Sequence, residues 1–190
     1  MHVMGICVGG RGRRMGGVQK ALLRAPDTGE TLVARLIRLG REAGHEVVLL
    51  GAAELGTESA GAPQLPDAAP DLGPLAGLQS LLQHAGDRSA ICVACDMPYV
   101  AETLLARVAT EPLNAHALAP RDATSGKWDA LFARYDSASV APLLARAWAE
   151  GERSFQGLFK RLTVRELMLD ERERAQLRDW DTPDDMRSPQ

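Results

Sequence analysis

The sequence predicts an α/β fold, in which a mostly parallel sheet is covered by helices on both faces to give three layers. Short apolar runs typical of buried strands recur at residues 3–8, 46–50 and 89–95. Segments with helical spacing of apolar residues alternate with them, at 32–43 and from Pro74 or Leu75 to about residue 83. Aromatic residues form only 4% of the chain, which favours aliphatic helix-on-sheet packing over an aromatic-rich β-sandwich.

The rest of the chain continues this alternation. Residues 51–73, rich in Ala, Gly and Pro, are predicted to be irregular, and the polar tail after Asp185 is expected to fray. A length of 190 residues suits one domain, 1–190. The further elements expected are a helix over 102–109, a strand over 115–120, a strand within 127–135, a helix over 140–150, a short helix over 155–162 and an edge strand over 164–169.

Charge and cysteine content limit the functional classes. A net charge of −3 gives no basic face for nucleic acid, and no stretch reads as a membrane span or signal peptide. The three cysteines, Cys7, Cys92 and Cys95, are an odd and low number, which favours a reducing compartment and hence the cytoplasm. The Cys92-x-x-Cys95 spacing falls on a strand, so a structural role is favoured over a redox or zinc motif.

A glycine- and arginine-rich loop, 8–20, follows the first predicted strand. Glycines allow backbone N–H groups to approach an anion, and the loop's cations add positive charge, so the loop predicts a site for a nucleoside triphosphate or another polyphosphate. It is not a P-loop, because Val18 follows Gly17 where Lys belongs, and Met15 breaks the dinucleotide fingerprint. The alternative is an ordinary surface loop with solvated arginines.

Asp96 follows another predicted strand at its carboxyl end, which is where open α/β sheets bind ligands. A carboxylate held there suits Mg²⁺, which takes one or two carboxylates together with phosphate oxygens. The alternative is that Asp96 caps the next helix. Lys20 and Arg14 are the candidate groups for stabilising charge on the phosphates, and the alternative for Lys20 is a solvated side chain at a helix start.

Several segments together resemble one enzyme family. The loop with Arg14-Met15-Gly16 and Lys20, then Asp67 ahead of Gly73-Pro74-Leu75-Ala76-Gly77, and Cys95-Asp96-Met97-Pro98 resemble the nucleotidyltransferases, above all molybdenum cofactor guanylyltransferases. The segments 151–153, 159–162 and 181–185 match as well, so the resemblance covers nearly the whole chain in order.

The resemblance implies a Rossmann-like nucleotidyltransferase fold and transfer of GMP from Mg-GTP to the phosphate of molybdenum-molybdopterin, with release of pyrophosphate. Further candidate partners are the proteins that mature molybdoenzymes; nucleic acid and membrane are not expected as partners. Alternatives are transfer from CTP or another nucleoside triphosphate, a sugar-phosphate acceptor, or a non-catalytic nucleotide-binding regulator. The N-terminal half would bind the nucleotide and the C-terminal half the acceptor.

The resemblance also assigns site residues. Asp67 would lie near the guanosine, and Gly73 to Gly77 would form a turn that packs backbone against the nucleotide. Asp181 would be a second metal ligand beside Asp96, with the N-cap of a short helix as its alternative. The implied catalytic residues are Arg14, Lys20 and Asp96, and the implied nucleotide-binding residues are Cys7, Val8, Gly9, Gly10, Arg11, Lys20, Asp67, Gly77 and Asp96.

Some features depart from the family pattern. Gln19 stands where an Asp usually precedes the loop lysine, and Leu50 stands where a base-contacting Asn is usual, which leaves the choice of base open because Leu cannot hydrogen-bond a base edge. Trp128 and Trp180 are candidates for lining a pterin pocket, with core packing as the alternative. Four residues are candidates for facing the acceptor, with a solvated helix face as their alternative: Glu152, Arg153, Lys160 and Arg161.

Overall fold

A computed structural model describes residues 1–9, 19–68, 74–182 and 184–186. Its strands are β1 (Val3–Cys7), β2 (Glu46–Leu50), β3 (Gln64–Leu65), β4 (Ser89–Ala94), β5 (Ala117–Ala119), β6 (Phe132–Asp136) and β7 (Val164–Glu166). They form one sheet in the order β3-β2-β1-β4-β6-β5-β7. All of these strands point the same way except β6, which is antiparallel to both β4 and β5.

Helices cover both faces of this sheet. They are α1 (Leu32–Glu42), α2 (Pro74–Ala85), α3 (Glu102–Thr110), α4 (Ser137–Ala149), α5 (Phe155–Phe159) and α6 (Glu171–Gln176). Side chains of α1 and α3, such as Leu36 and Leu105, share one core with one face of the sheet. Side chains of α2, α4 and α5, such as Leu78, Leu144 and Leu158, share the other. The three-layer architecture predicted from the sequence is therefore confirmed.

Helix α1 shows how local sequence sets an element's limits. Thr31 is its N-cap, and the Thr31 hydroxyl accepts a hydrogen bond from Ala34 N at 3.3 Å. Apolar residues at helical spacing, among them Val33, Leu36 and Ile37, are buried against the sheet. Gly44 ends the helical segment with a φ of +75°, a conformation that glycine adopts at little cost.

Register brings the functional segments to one rim of the sheet. β1 pairs in parallel with β2 and β4, with Cys7 opposite Leu50 and Ala94, so the three carboxyl ends lie side by side. Because β6 runs antiparallel to β4, it is the start of β6 that reaches this rim, and Ala94 N donates to the Leu131 carbonyl at 2.8 Å. We call this edge the carboxyl rim. It receives segments from both halves of the chain.

Two local expectations were wrong, and one helix was not predicted. The stretch expected to be irregular contains a 3₁₀ turn, Gly56–Ser59, and the two-residue edge strand β3. Gly77 lies within α2, so residues 74–77 form the first turn of a helix and not a loop turn. Helix α6 was not predicted, because none of its residues is buried and it therefore has no apolar stripe. The other elements lie within a few residues of their predicted positions.

The cysteine interpretation agrees with the structure. Cys92 belongs to the core on one face of the sheet and Cys95 to the core on the other, so the pair faces opposite ways. All three cysteines are free thiols. No helix in the described part of the chain is long and apolar enough to cross a lipid bilayer.

Candidate active site

Lys20 lies at the centre of the charged groups on the carboxyl rim. It opens the 3₁₀ turn Lys20–Leu22, and its ammonium donates to Asp96 Oδ2 at 2.8 Å and to Asp181 Oδ1 at 2.6 Å. The side chain is only 17% exposed, so the solvated alternative was wrong. Burial lowers the pKa of Lys20, but the hydrogen bonds that it donates to Asp181 and Asp96 outweigh burial and raise this pKa above its usual value.

Asp96 is held at the end of β4 by backbone contacts on both sides. Cys95 N donates to the Cys7 carbonyl at 3.2 Å, and Trp180 N donates to the Asp96 carbonyl at 3.0 Å. Helix α3 begins only at Glu102 and has Ala101 as its N-cap, so Asp96 does not cap it. The carboxylate of Asp96 instead accepts from Lys20, and its role as a metal ligand stays a prediction.

The segment that carries Asp181 is fastened to the rim by its neighbour Trp180. The Trp180 side chain is 4% exposed and packs with Ala25 and Leu32, while its ring meets Tyr99 edge-on with centroids 6.2 Å apart. Of the two alternatives for Trp180, the structure supports core packing. Asp185 Oδ2 accepts from Thr182 N at 2.7 Å, which adds a local contact to this segment.

Asp179 joins this group and was missed by the sequence analysis. Carboxylate oxygens of Asp96, Asp179 and Asp181 all lie within 4.8 Å of one another. Burial raises the pKa of Asp179, and the nearby charges of Asp181 and Asp96 raise it further. The sequence spacing could have indicated Asp179. In an extended segment, residues two apart face the same side, so a site that contains Asp181 would also be expected to contain Asp179.

The chemistry of these groups fits a divalent cation. Mg²⁺ prefers oxygen ligands, and the cluster offers carboxylate oxygens from three side chains close together. The cluster already holds one cation, the ammonium of Lys20, between Asp96 and Asp181. A metal ion and Lys20 would therefore share the same two carboxylates.

Also at the carboxyl rim, the backbone segments that follow β1 and β2 lie in close contact with each other. Val8 N and Gly9 N both donate to the Leu50 carbonyl, at 3.0 and 3.2 Å. Gly51 has a φ of +90°, and a Cβ placed there would lie 3.0 Å from Gly9 Cα. Gly51 is thus required by this approach of two backbones, whereas a Cβ on Gly9 would make only ordinary contact, 3.4 Å from Gly51 Cα.

Asp67 and Gly77 border the same place. A Cβ built on Gly77 would lie 3.7 Å from Asp67 Oδ1, and one built on Gly51 would lie 3.9 Å from the same oxygen. Leu50 is 2% exposed and packs inside the sheet, with its Cβ 3.5 Å from that Gly77 position. Leu50 therefore contributes its backbone carbonyl to the rim, while Asp67 contributes a side chain able to meet a base.

The remaining predicted residues divide into three groups. Gly10, Arg11 and Arg14 lie outside the described residues. Cys7 has its Sγ 3.5 Å from Cys92 Sγ, and this hydrogen bond, with burial, raises the Cys7 pKa well above its usual value, so it stays a neutral thiol. The charged residues expected to face the acceptor are partly engaged locally, as in the ion pair of Arg161 with Glu150.

Cationic and acidic side chains that meet beside a glycine backbone, at the carboxyl ends of parallel strands, define a nucleotide-binding enzyme of the α/β class. The model of the MobA-like NTP transferase domain matches residues 5–166, and the chain belongs to this family. It is accordingly a nucleotidyltransferase.

Curated relatives and solved structures agree with this assignment. The molybdenum cofactor guanylyltransferase of Pseudomonas entomophila (strain L48) is 37% identical over 156 residues, covering 80% of this chain and 78% of its own. That of Pseudomonas putida strain KT2440 is 34% identical and covers 94% and 92%. The crystal structure of molybdopterin-guanine dinucleotide biosynthesis protein A from Archaeoglobus fulgidus matches with a TM-score of 0.77 at 26% identity, covering 97% of this chain and 95% of that chain.

Proposed function

We propose that this enzyme transfers GMP from GTP to the phosphate of molybdenum-molybdopterin and releases pyrophosphate. The observation that carries the proposal is the meeting of Lys20 with Asp96 and Asp181 at the carboxyl rim. Two relatives that match most of the chain carry the name molybdenum cofactor guanylyltransferase, which supports the choice of nucleotide and acceptor. The N-terminal half would bind the nucleotide and the C-terminal half the acceptor.

Mg²⁺ is the metal we propose for the acidic cluster, with Asp96 and Asp181 as its ligands and Asp179 beside them. Bound there, the ion would neutralise negative charge on the triphosphate and on the pyrophosphate that leaves. Lys20 would then donate to phosphate oxygens, because its ammonium lies within reach of the same carboxylates. Arg14 is the second cation that we assign to this task.

The reaction needs little proton transfer from the protein. A phosphate monoester has a second pKa of about 6, so the attacking phosphate of the acceptor is already ionised near neutral pH. Its oxygen forms a bond to the α-phosphorus of GTP as the bond from that phosphorus to the bridging oxygen breaks. The chain's residues have to align these groups and stabilise their charge, which is the main contribution of enzymes to such transfers.

Selection of guanine is assigned to Asp67. A carboxylate accepts hydrogen bonds, and guanine offers two adjacent donors, its ring N–H and its amino group, whereas cytosine offers its amino group alone. Asp67 lies beside Gly51 and Gly77, where the absence of side chains leaves room for a base. The backbone of residues 7–11 would hold the phosphates. The free thiols favour work in a reducing compartment such as the cytoplasm.

The first test is binding of the four Mg-nucleoside triphosphates to the wild type and to Asp96→Asn, measured by calorimetry. We expect GTP to bind best and the variant to bind it at least about tenfold more weakly, because a charge-assisted contact is lost. Asp87→Asn, an exposed aspartate before β4, is the matched control and should bind GTP as the wild type does.

The second test follows pyrophosphate release with GTP, Mg²⁺ and molybdenum-molybdopterin. Full magnesium-dependent release by Asp96→Asn would contradict the assigned role of Asp96. Binding of GTP without release by the wild type would instead favour a nucleotide-binding regulator, and preference for CTP would indicate a related transferase.

A further inference from the structure

Asp129 is an acidic residue at the carboxyl rim that the steps above do not use. It lies three residues before β6, on the stretch that brings this strand to the rim. Leu131, two residues further on, accepts from Ala94 N, and Asp96 is two residues beyond Ala94. The antiparallel register of β4 and β6 therefore places Asp129 and Asp96 at the same end of neighbouring strands.

The backbone around Asp129 is firmly held. Asp129 N donates to the Pro120 carbonyl at 3.0 Å, and the Asp129 carbonyl accepts from Phe132 N at 3.0 Å. Trp128 is clamped by one amide, since its N–H donates to Gln156 Oε1 at 3.1 Å and its carbonyl accepts from Gln156 Nε2 at 2.8 Å. A side chain on so fixed a backbone is preorganised to meet a ligand.

The Asp129 carboxylate lacks a partner in the part of the chain that the structure describes. Among the described residues, Asp129 makes no side-chain hydrogen bond and no ion pair, although it is half-buried. Burial raises its pKa, and the charge of Asp122 adds to this, while Arg174 acts in the opposite direction. A carboxylate that is partly shielded from water and receives no hydrogen bond destabilises the folded protein. Such a group is therefore a candidate for binding a ligand that supplies hydrogen-bond donors.

Strand order indicates which substrate would supply the missing donors. Val8, Gly9 and Asp67 lie on the β1–β2 side of Asp96, and Asp129 lies on the β6 side. In nucleotidyl transfer the attacking oxygen approaches the α-phosphorus from the side roughly opposite the leaving oxygen. If the nucleotide lies over β1 and β2, the acceptor has to approach from the side of β6.

We propose that Asp129 is a specificity residue for the acceptor, and that its carboxylate binds the aminopyrimidinone edge of a pterin through the ring N–H and the amino group. The inference rests on the proposed function, because that function supplies a pterin as acceptor. Guanine and pterin present similar hydrogen-bonding edges, and in this proposal Asp67 binds the guanine and Asp129 binds the pterin.

The test compares two probes, pterin and lumazine, which differ in that lumazine has an oxygen in place of the amino group. Their binding is measured by fluorescence titration against the wild type, Asp129→Asn and the control Asp87→Asn. We expect the wild type and the control to bind pterin about tenfold more tightly than lumazine. Lumazine lacks the amino group, so the Asp129 carboxylate would lose one hydrogen bond, and a hydrogen bond to a charged group is worth about that much. In Asp129→Asn the preference should fall to near one, with GTP affinity unchanged.

Three outcomes would overturn the inference: equal binding of the two probes by the wild type, an undiminished preference in Asp129→Asn, or a loss confined to GTP. Thermal melting checks that the variant folds, and Asp129→Ser serves as a second variant if the amide perturbs the loop. A wild type that distinguishes the probes but transfers no GMP would refute the proposed function while leaving pterin recognition by Asp129 intact.

Discussion

In the proposed metal site, Lys20 would compete with a divalent cation for the oxygens of Asp96 and Asp181, because its ammonium donates to both. This competition has a measurable result. A metal ion presented alone would have to displace a partly buried ammonium, whereas one arriving with a triphosphate would bring anionic oxygens to which Lys20 can donate instead. The enzyme should therefore bind its metal chiefly together with the nucleotide.

We expect Lys20→Met to raise the affinity for Mn²⁺ alone by about tenfold while abolishing GMP transfer, since a hydrogen bond to a charged group is worth roughly 1.5–3 kcal/mol. Electron paramagnetic resonance of free Mn²⁺ measures the affinity without nucleotide. Lys127→Met, which removes an exposed lysine, should leave the affinity unchanged. Weaker Mn²⁺ binding by Lys20→Met would contradict the competition.

Gly77 offers a second test at the level of one residue. An alanine there would make only ordinary contacts, 3.5 Å from Leu50 Cβ and 3.7 Å from Asp67 Oδ1, and the site lies inside α2. We expect Gly77→Ala to raise the free energy of unfolding by about 0.5–1 kcal/mol, because alanine favours a helix. The same methyl group should weaken GTP binding if the base lies beside Asp67. Urea denaturation and calorimetry measure the two effects separately.

Elements with a strong apolar pattern were predictable from the sequence. Strands β1, β2 and β4 are continuous apolar runs, and α1 carries an apolar stripe, so hydrophobic burial fixes them almost regardless of context. Strand β3 and helix α6 were not predictable, because two residues are too few for a periodic pattern and α6 buries none of its side chains. Both depend on tertiary contacts.

In the candidate site, too, some positions follow from local sequence and others depend on tertiary contacts. Asp96 was accessible to prediction because it directly follows a buried strand. The contact of Lys20 with Asp181 joins residues far apart in sequence, and the packing of Trp180 in a tertiary cluster holds Asp181 at this place. The position of Asp129 at the carboxyl rim could not be predicted, because it depends on the antiparallel direction of β6, which local sequence does not reveal.

Helix α6 leads directly into the segment that carries Asp179 and Asp181. Asp170 and Glu173 form a capping box at its start, and Glu173 also pairs with Arg107 of α3 at 2.6 Å. We expect Asp170→Ala to lower the free energy of unfolding by about 0.5–2 kcal/mol, since one N-cap is lost. Urea denaturation measures this. Glu171→Ala, in the same turn but outside the box, should change it much less.

At the scale of the whole molecule, the reversed strand β6 lets two halves of the chain meet at one rim. The first half contributes the ends of β1, β2 and β4, and the second contributes the start of β6 and the segment after α6. Asp96, on the central β4, stands at the boundary between them. This arrangement suits a reaction that joins two large substrates across one phosphorus atom.

Two histidines at the amino ends of β1 and β2 are expected to make the stability depend on pH. His2 and His45 lie there with ring centroids 5.4 Å apart, and both nitrogens of His45 are buried without a hydrogen bond in the described residues. Burial lowers the pKa of both side chains below the usual 6.5. The unfolded chain therefore binds more protons, and stability is lost as pH falls from about 6.5 through the lower folded pKa.

We expect His45→Phe, which keeps a ring without a titrating group, to reduce this loss between pH 7.5 and 5.5. Urea denaturation at both pH values, for the wild type and the variant, gives the difference. His84→Gln is the control, because His84 is partly exposed and pairs with Glu46. An unchanged pH slope in His45→Phe would show that other groups cause the loss.

The burial of Trp180 between Leu32 and Tyr99 has an optical consequence. The chain contains three tryptophans, at positions 128, 148 and 180. Replacing Trp128 and Trp148 by Phe leaves a single tryptophan, one residue from Asp181 and packed against Ala25 and Leu32 of the N-terminal half. Its emission wavelength then reports whether the last segment is seated on the rest of the molecule, so an intrinsic fluorophore can time the arrival of each substrate without any attached label.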